Sequence, residues 1–139
     1  MSFTEQYGDL FDLPESISLA HCVAMDFHMG AGIAVIFSKK FGSKLELKSR
    51  NIQEGDMTYL KDNQRFIYYL VTKQTSWGKP TYQTLESSLI KMFQHLNENN
   101  ITAIGMPKIG CGLDCLNWDI VKDIIKKHQG NVNVIIRYF

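Results

Sequence analysis

The sequence predicts one α/β domain in which helices cover both faces of a mixed central sheet. Strand patterns and helical patterns alternate along the chain, which is typical of a sheet packed between helices. Two glycine-rich turns each stand between a strand pattern and a helical pattern. The length of 139 residues fits a single domain, residues 1–139, and a hydrophobic content of 45% can bury one core.

The first third of the chain predicts two strands and a helix. Residues 3–7 form a weak strand candidate that ends at Gly8. The apolar run at residues 17–24 predicts a buried strand. After the first glycine turn, residues 33–41 place apolar side chains at near-helical spacing, and Gly42 supplies the C-terminal stop.

The middle of the chain contains two short elements and then the two clearest ones. Residues 45–50 predict a short helix, and residues 57–60 predict a short strand. Residues 65–72 are rich in aromatic and β-branched side chains, so they predict a strand. Residues 81–98 predict the strongest helix. Its apolar stripe consists of Leu85, Leu89, Met92, Phe93 and Leu96.

The last third of the chain repeats the order of strand, turn and helix. Residues 101–106 form an apolar strand pattern, and the second glycine turn follows at residues 107–114. A helical pattern begins near Asn117 and continues through residue 125. Residues 131–139 predict a closing strand.

Three of the connecting segments follow strand C-terminal ends: the two glycine turns and the loop at residues 73–80. In open α/β sheets, ligands bind outside the carboxyl ends of the strands. If the three strands are parallel neighbours, these segments converge on one crevice.

The two glycine turns contain the strongest candidate residues, Gly30, Gly32, Gly110 and Gly112. Glycine also serves tight turns and close strand–helix packing. Because both turns join a strand to a helix, we favour a cradle in which backbone N–H groups bind a phosphate. Neither turn is a P-loop or a complete dinucleotide fingerprint. Asp114 closes the second turn, and because a carboxylate repels an anion, it indicates chemistry or sugar recognition beside a bound nucleotide.

Lys73 and Cys111 are the candidate nucleophiles. A lysine at a strand end is usually a solvated charge, but one that is partly desolvated beside a ligand can attack an electrophilic carbon or bind phosphate. Asp114 would then serve as the proton acceptor or donor. No histidine is positioned in the sequence to activate Cys111, so we interpret that thiol as a small loop-lining side chain.

Three further residues have a functional interpretation beside a structural one. Asp9 fits an ordinary turn or helix cap, or an acceptor for an exocyclic amine such as that of adenine. His21 lies in an apolar strand, where a hydrogen-bonded core histidine is expected. Phe139, the last residue, fits plain packing or stacking on a base.

Composition and charge exclude several functional classes. The net charge of +1 disfavours a nucleic-acid surface, although it leaves a short single-stranded partner open. Three cysteines without a secretory segment predict reduced thiols in an intracellular protein, cytoplasmic or nuclear. No apolar run approaches the length of a membrane span. The cysteine and histidine spacings do not complete a metal site, so we expect neither a metal nor a cofactor. We expect a monomer by default.

An ordered set of motifs is similar to the macrodomain family. The motifs are GDLF at residues 8–11, LAHC at 19–22, MGAGIA at 29–34, YYLVTK at 68–73, KPTY at 79–82 and MPKIGCGLD at 106–114. They resemble the branch of terminal ADP-ribose protein glycohydrolases, also called O-acyl-ADP-ribose deacylases. The resemblance covers nearly the whole chain. It implies a three-layer α/β/α fold and ADP-ribose or acyl-ADP-ribose as the small-molecule partner.

The resemblance also implies roles for individual residues. Lys73 would be the nucleophile at the distal ribose anomeric carbon, and Asp114 would resolve the lysyl adduct. Asp9 and Leu10 would contact adenine, and Phe139 would face the adenosine end. Ala24 stands where a close relative has serine, so a hydroxyl contact is lost there. The implied binding residues are Asp9, Leu10, His21, Ala24, Gly30, Ala31, Gly32, Ile33, Lys108, Ile109, Gly110, Cys111, Gly112, Leu113 and Phe139.

Three functions compete at this stage. The first is hydrolysis of the ester between ADP-ribose and a carboxylate, on mono-ADP-ribosylated proteins or in O-acetyl-ADP-ribose. The second is a non-catalytic module that binds ADP-ribose, since the glycine turns would serve both. The third is a hydrolase that removes ADP-ribose from DNA bases. The presence of both Lys73 and Asp114 favours the first.

Overall fold

The computed structural model describes residues 1–139, which form a six-stranded sheet with four α-helices. The strands are β1 (Phe3–Tyr7), β2 (Ser18–Ala24), β3 (Asp56–Asp62), β4 (Arg65–Lys73), β5 (Ala103–Met106) and β6 (Asn133–Tyr138). The helices are α1 (Ile33–Phe41), α2 (Lys44–Ser49), α3 (Tyr82–Glu98) and α4 (Trp118–His128). A short 3-10 turn, Leu10–Asp12, follows β1.

The strand order across the sheet is β1-β6-β5-β2-β4-β3. The first five strands in this order are parallel to their neighbours, and only β3 runs antiparallel, against β4. The predicted mixed sheet is therefore confirmed. Because β5, β2 and β4 are parallel neighbours, the segments that follow them emerge at the same edge.

Two separate cores lie on the two faces of this sheet, which gives the three layers predicted. Buried residues of α3 and α4 pack on one face, with Leu89 and Val121 as examples. The other core contains Phe37 of α1 and Leu47 of α2, together with Leu10 of the 3-10 turn. None of the helices is long and apolar enough to cross a lipid bilayer.

Local sequence signals fix the ends of the helices that flank the site. Helix α1 begins after Gly32 and ends before Gly42, and both glycines have positive φ. Helix α3 starts with a capping box in which the side chains of Thr81 and Thr84 each accept the other residue's backbone N–H. Helix α4 is capped by Asn117, whose side chain accepts the N–H of Asp119.

The predicted elements are all present, with bounds that differ by a few residues. Strand β3 extends beyond residues 57–60 because its polar ends still pair with β4 along the full register. The 3-10 turn at Leu10–Asp12 was not predicted, since three residues are too few to show a helical period. Its buried Leu10 packs in the core beside Leu13 and Leu19.

Candidate active site

A cleft of about 380 Å³ opens where the central parallel strands end. It is formed by the last residues of β2 and by the segments that follow β2, β4 and β5. The predicted convergence of the two glycine turns and the Lys73 loop is thus confirmed. The predicted residues that line this cleft are His21, Ala24, Gly30, Ala31, Gly32, Ile33, Lys73, Lys108, Ile109, Gly110, Cys111, Gly112, Leu113 and Asp114.

Three predicted binding residues lie outside the cleft lining, at the ends of β1 and β6. The carboxylate of Asp9 accepts the N–H of Phe11 at 3.0 Å and so caps the 3-10 turn. Leu10, the first residue of that turn, is buried. Phe139 is exposed, and its ring makes an edge contact with Tyr7 at a centroid distance of 5.7 Å. Because β1 and β6 are parallel to the central strands, these residues share the sheet edge on which the cleft opens.

Lys73 and Asp114 form an ion pair at the wall of the cleft. The Nζ atom of Lys73 lies 2.7 Å from Oδ1 of Asp114, although 41 positions separate them in the sequence. Their side chains are only 14% and 16% exposed. Limited access to water strengthens this charge-assisted hydrogen bond. The small exposed part of each side chain lies in the cleft lining.

Asp26 holds the loop that follows Lys73, a role that was not predicted. One carboxylate oxygen of Asp26 accepts the N–H of Ser76 at 3.1 Å, and the other accepts the N–H of His28 at 3.0 Å. The carbonyl of Ser76 in turn accepts a hydrogen bond from Lys73 Nζ at 3.1 Å. Two acceptors therefore fix the Lys73 amine, and Asp26 fixes one of them. No spacing in the sequence pairs Asp26 with Ser76, so only the fold could identify this contact.

The first glycine turn delivers the N-terminus of α1 to the cleft. Gly32 has a φ of 59° and caps α1 without a side-chain hydrogen bond, and the first turn contains no acidic residue. Ile33 and Ala34 of this turn line the cleft. An uncapped helix N-terminus presents free N–H groups and the positive end of the helix dipole, which together attract an anion.

The second glycine turn supplies further free donors. Gly110 has a φ of 73°, and a Cβ built there would lie 2.9 Å from Leu116, so glycine is required. The N–H groups of Gly110 and Gly112 donate no hydrogen bond within the protein. Polar groups of this kind are normally paired, so their freedom in a cleft suits an anionic ligand.

His21 lies at the base of the cleft and is fully buried. Its ring stacks on Phe37 at a centroid distance of 3.8 Å and contacts Tyr69 edge-on. Burial lowers the pKa of His21 to about 3, so the ring is neutral. Neither ring nitrogen has a hydrogen-bond partner, so the expectation of a hydrogen-bonded core histidine is wrong. The ring is held instead by its aromatic contacts with Phe37 of α1 and Tyr69 of β4.

The thiols near the cleft are unsuited to nucleophilic chemistry. Burial raises the pKa of Cys111 to about 11, and its Sγ donates to the carbonyl of Ile109 at 3.2 Å. Burial also raises the pKa of Cys22. Because the thiolate is the reactive form, both cysteines are present as unreactive thiols at neutral pH. No group of three or more His, Cys, Asp and Glu side chains is arranged to hold a metal ion.

Comparison with known proteins gives a family match and similar relatives. The family model described as "Macro domain" matches residues 20–125. ADP-ribose glycohydrolase OARD1 from Homo sapiens is 48% identical over 120 residues, which cover 86% of this chain and 79% of that protein. The Bos taurus protein of the same name matches to the same extent.

Solved structures support the same fold at lower identity. The macrodomain of Mycobacterium tuberculosis DarG superposes with a TM-score of 0.87 at 21% identity, covering 97% of this chain and 96% of that one. Thermosipho africanus DarTG in complex with ADP-ribose gives a TM-score of 0.85 at 19% identity, covering 98% of this chain and 41% of that one. At these identities the likeness concerns the fold alone.

Proposed function

The chain belongs to the macrodomain family, and on that premise we propose that it is a hydrolase that cleaves the ester between ADP-ribose and a carboxylate. The observation that carries this proposal is the 2.7 Å contact between Lys73 and Asp114 on the wall of the cleft between the two glycine turns. A module that only binds ADP-ribose needs the free N–H groups but has no use for a half-buried nucleophile paired with a base. The relative named ADP-ribose glycohydrolase supports the same activity.

The diphosphate of ADP-ribose would lie between the two glycine turns. The free N–H groups of Gly110 and Gly112 would bind it from one side, and the N-terminus of α1 would bind it from the other. The α1 N-terminus carries no acidic side chain that would repel the phosphates. This placement directs the distal ribose toward Lys73.

The first chemical step would be attack by Lys73 on the anomeric carbon of the distal ribose. Lys73 first passes a proton along its hydrogen bond to Asp114, which frees the nitrogen lone pair. The nitrogen then forms a bond to the carbon, and the bond from that carbon to the ester oxygen breaks with its electron pair. The leaving group departs as a carboxylate, which is stable without protonation, so a single acid–base residue suffices.

The second step would release the lysyl adduct. Asp114 first releases to solvent the proton that it accepted from Lys73. It then takes a proton from a water molecule as the water oxygen bonds to the anomeric carbon, and the carbon–nitrogen bond to Lys73 breaks with its electron pair on nitrogen. The amine recovers its proton, and free ADP-ribose leaves. The net reaction consumes one water molecule and yields ADP-ribose and a carboxylic acid. No metal or cofactor takes part in either step.

The adenosine end would extend along the sheet edge beyond the cleft. Oδ1 of Asp9 caps the 3-10 turn, so the other carboxylate oxygen would accept the exocyclic amine of adenine. Leu10 would contact the base, and the exposed ring of Phe139 would stack beside it. Ala24 and His21 would line the inner wall without a hydroxyl contact.

The acyl side of the substrate identifies the proposed partners. They are mono-ADP-ribosylated glutamate or aspartate on proteins, and O-acetyl-ADP-ribose among small molecules. We further propose that residues 1–139 act as one macrodomain, as a monomer inside the cell, in the cytoplasm or nucleus. DNA carrying ADP-ribose on its bases is the alternative substrate.

The test uses a peptide that carries ADP-ribose on a glutamate side chain. The wild type should release ADP-ribose, whereas Lys73→Ala should release none and still bind free ADP-ribose. Lys91→Ala is the matched control, because Lys91 is an exposed lysine that pairs with Asp56 on the surface. Tight ADP-ribose binding by a wild type that cleaves nothing would favour the binding module, and release only from an ADP-ribosylated thymidine oligonucleotide would favour the DNA hydrolase.

A further inference from the structure

The segment that carries Asp114 is irregular and exposed. Leu113 is 73% exposed, and Cys115 adopts a φ of 62°, which is unusual for a residue with a side chain. Within the segment, the N–H groups of Cys115 and Leu116 bond back to the second glycine turn at 3.2 and 2.8 Å, and the Cys115 thiol donates to the carbonyl of Leu113 at 3.4 Å. Such a segment has little regular structure of its own to keep the Asp114 carboxylate against Lys73.

Two side chains, one from the loop before α3 and one from the first residue of α3, hold this segment on either side of Asp114. Nζ of Lys79 donates to the carbonyl of Leu113 at 2.6 Å. The N–H of Asn117 donates to the hydroxyl oxygen of Tyr82 at 3.0 Å. The first contact precedes Asp114 by one residue, and the second follows it by three. Both come from the sequence motif KPTY at residues 79–82, for which the catalytic steps above give no role.

The same part of α3 is also bonded to the strand end that carries Lys73. The Thr84 hydroxyl donates to the carbonyl of Thr72 at 2.7 Å, directly before Lys73. Thr81 fixes this first turn through the capping box. The start of α3 is therefore bonded to the backbone beside both members of the ion pair.

We propose that Lys79 and Tyr82 are positioning residues that hold Asp114 at the distance at which it serves Lys73. This inference rests on the proposed function and goes beyond it. The Lys79 contact fixes the backbone before the carboxylate, and the Tyr82 contact fixes the backbone after it. A shift of about 1 Å at a reacting group can cost about 100-fold in rate, so loss of either contact should lower kcat about 10-fold or more.

The test compares Lys79→Met and Tyr82→Phe with the wild type. Each variant removes the polar atom and keeps most of the side chain. In both, kcat should fall about 10-fold or more, while ADP-ribose affinity stays within about threefold. Lys79→Arg should recover part of the rate because it restores a donor. Matched controls are Lys91→Met on the exposed face of α3 and Tyr59→Phe on β3.

A second readout is specific to Asp114. Asp114 acts in both steps, but Lys73 can also lose its proton to solvent, whereas the water of the second step needs a positioned base. The fraction of enzyme carrying ADP-ribose on Lys73 during turnover should therefore rise in both variants. Intact-mass analysis after rapid quenching measures that fraction. A wild-type rate in either variant would overturn the inference, as would a loss of rate matched by equal losses of affinity and thermal stability. Failure of the proposed function would show separately, as no release of ADP-ribose by the wild type.

Discussion

Acidification from about pH 7.5 to about pH 5 should destabilise the protein through His21. The neutral ring of His21 is fully buried against Phe37 and Tyr69, and neither nitrogen has a partner that could stabilise a charge. Burial lowers its pKa from 6.5 to about 3. The unfolded chain therefore binds a proton at this residue that the folded protein does not.

The sign and size of the effect follow from this difference in pKa. The contribution of neutral His21 to stability is complete above about pH 6.5 and is lost progressively as the pH falls toward 3. A pH of about 5 lies about 1.5 units below 6.5, the pKa of His21 in the unfolded chain. At about 1.4 kcal/mol per unit, the free energy of unfolding should fall by about 2 kcal/mol.

Urea denaturation at a series of pH values measures this loss. His21→Leu is the matched variant, because leucine is apolar and similar in volume but cannot bind a proton. Subtracting its profile from that of the wild type removes the effect of all other titrating groups. The difference should grow to about 2 kcal/mol at about pH 5. Parallel profiles for the two proteins would refute the reasoning.

Three further substitutions have definite expected outcomes. Lys73→Ala should abolish ADP-ribose release and leave the dissociation constant for ADP-ribose within about threefold, as measured by calorimetry. Asp26→Asn should lower kcat severalfold in the same release assay. The carboxylate accepts the N–H groups of Ser76 and His28, whereas an amide has only one oxygen, so its NH₂ group would face one of these two donors. Gly105→Ala should lower the free energy of unfolding in urea by about 1 to 3 kcal/mol, because its Cβ would lie 2.5 Å from Leu13. An unchanged midpoint for Gly105→Ala, or a wild-type rate for either of the other two, would contradict the corresponding contact.

The sequence predicted most of the fold because hydrophobic periodicity and helix caps are local signals. The apolar stripe of α3 and the stop of α1 at Gly42 could be identified within a few residues. The strand order could not, since it depends on which segments pair across long distances in the sequence. Strand β5 lies between β6 and β2, and nothing in its own four residues specifies those neighbours.

In the candidate site, too, the sequence identifies local features but not the long-range contacts between them. Glycine turns between strands and helices are visible in the sequence, and so is a lysine at a strand end. The contacts that hold these groups are not, because Asp26 reaches Ser76 across 50 positions and Lys79 reaches Leu113 across 34. The absence of hydrogen-bond partners at His21 was also not predictable, since it depends on α1 packing Phe37 against the ring.

Trapping the intermediate tests the proposed mechanism most directly. Wild-type protein is incubated with acyl-linked ADP-ribose in the presence of borohydride. The adduct on Lys73 interconverts with a Schiff base when the ribose ring opens, its N–H proton moving to the ring oxygen, and borohydride reduces that Schiff base to a stable amine. Peptide mass spectrometry then locates the modification. The mechanism predicts one ADP-ribose on Lys73 and none in Lys73→Ala. A stable modification on any other residue, or none during active turnover, would contradict Lys73 as the nucleophile.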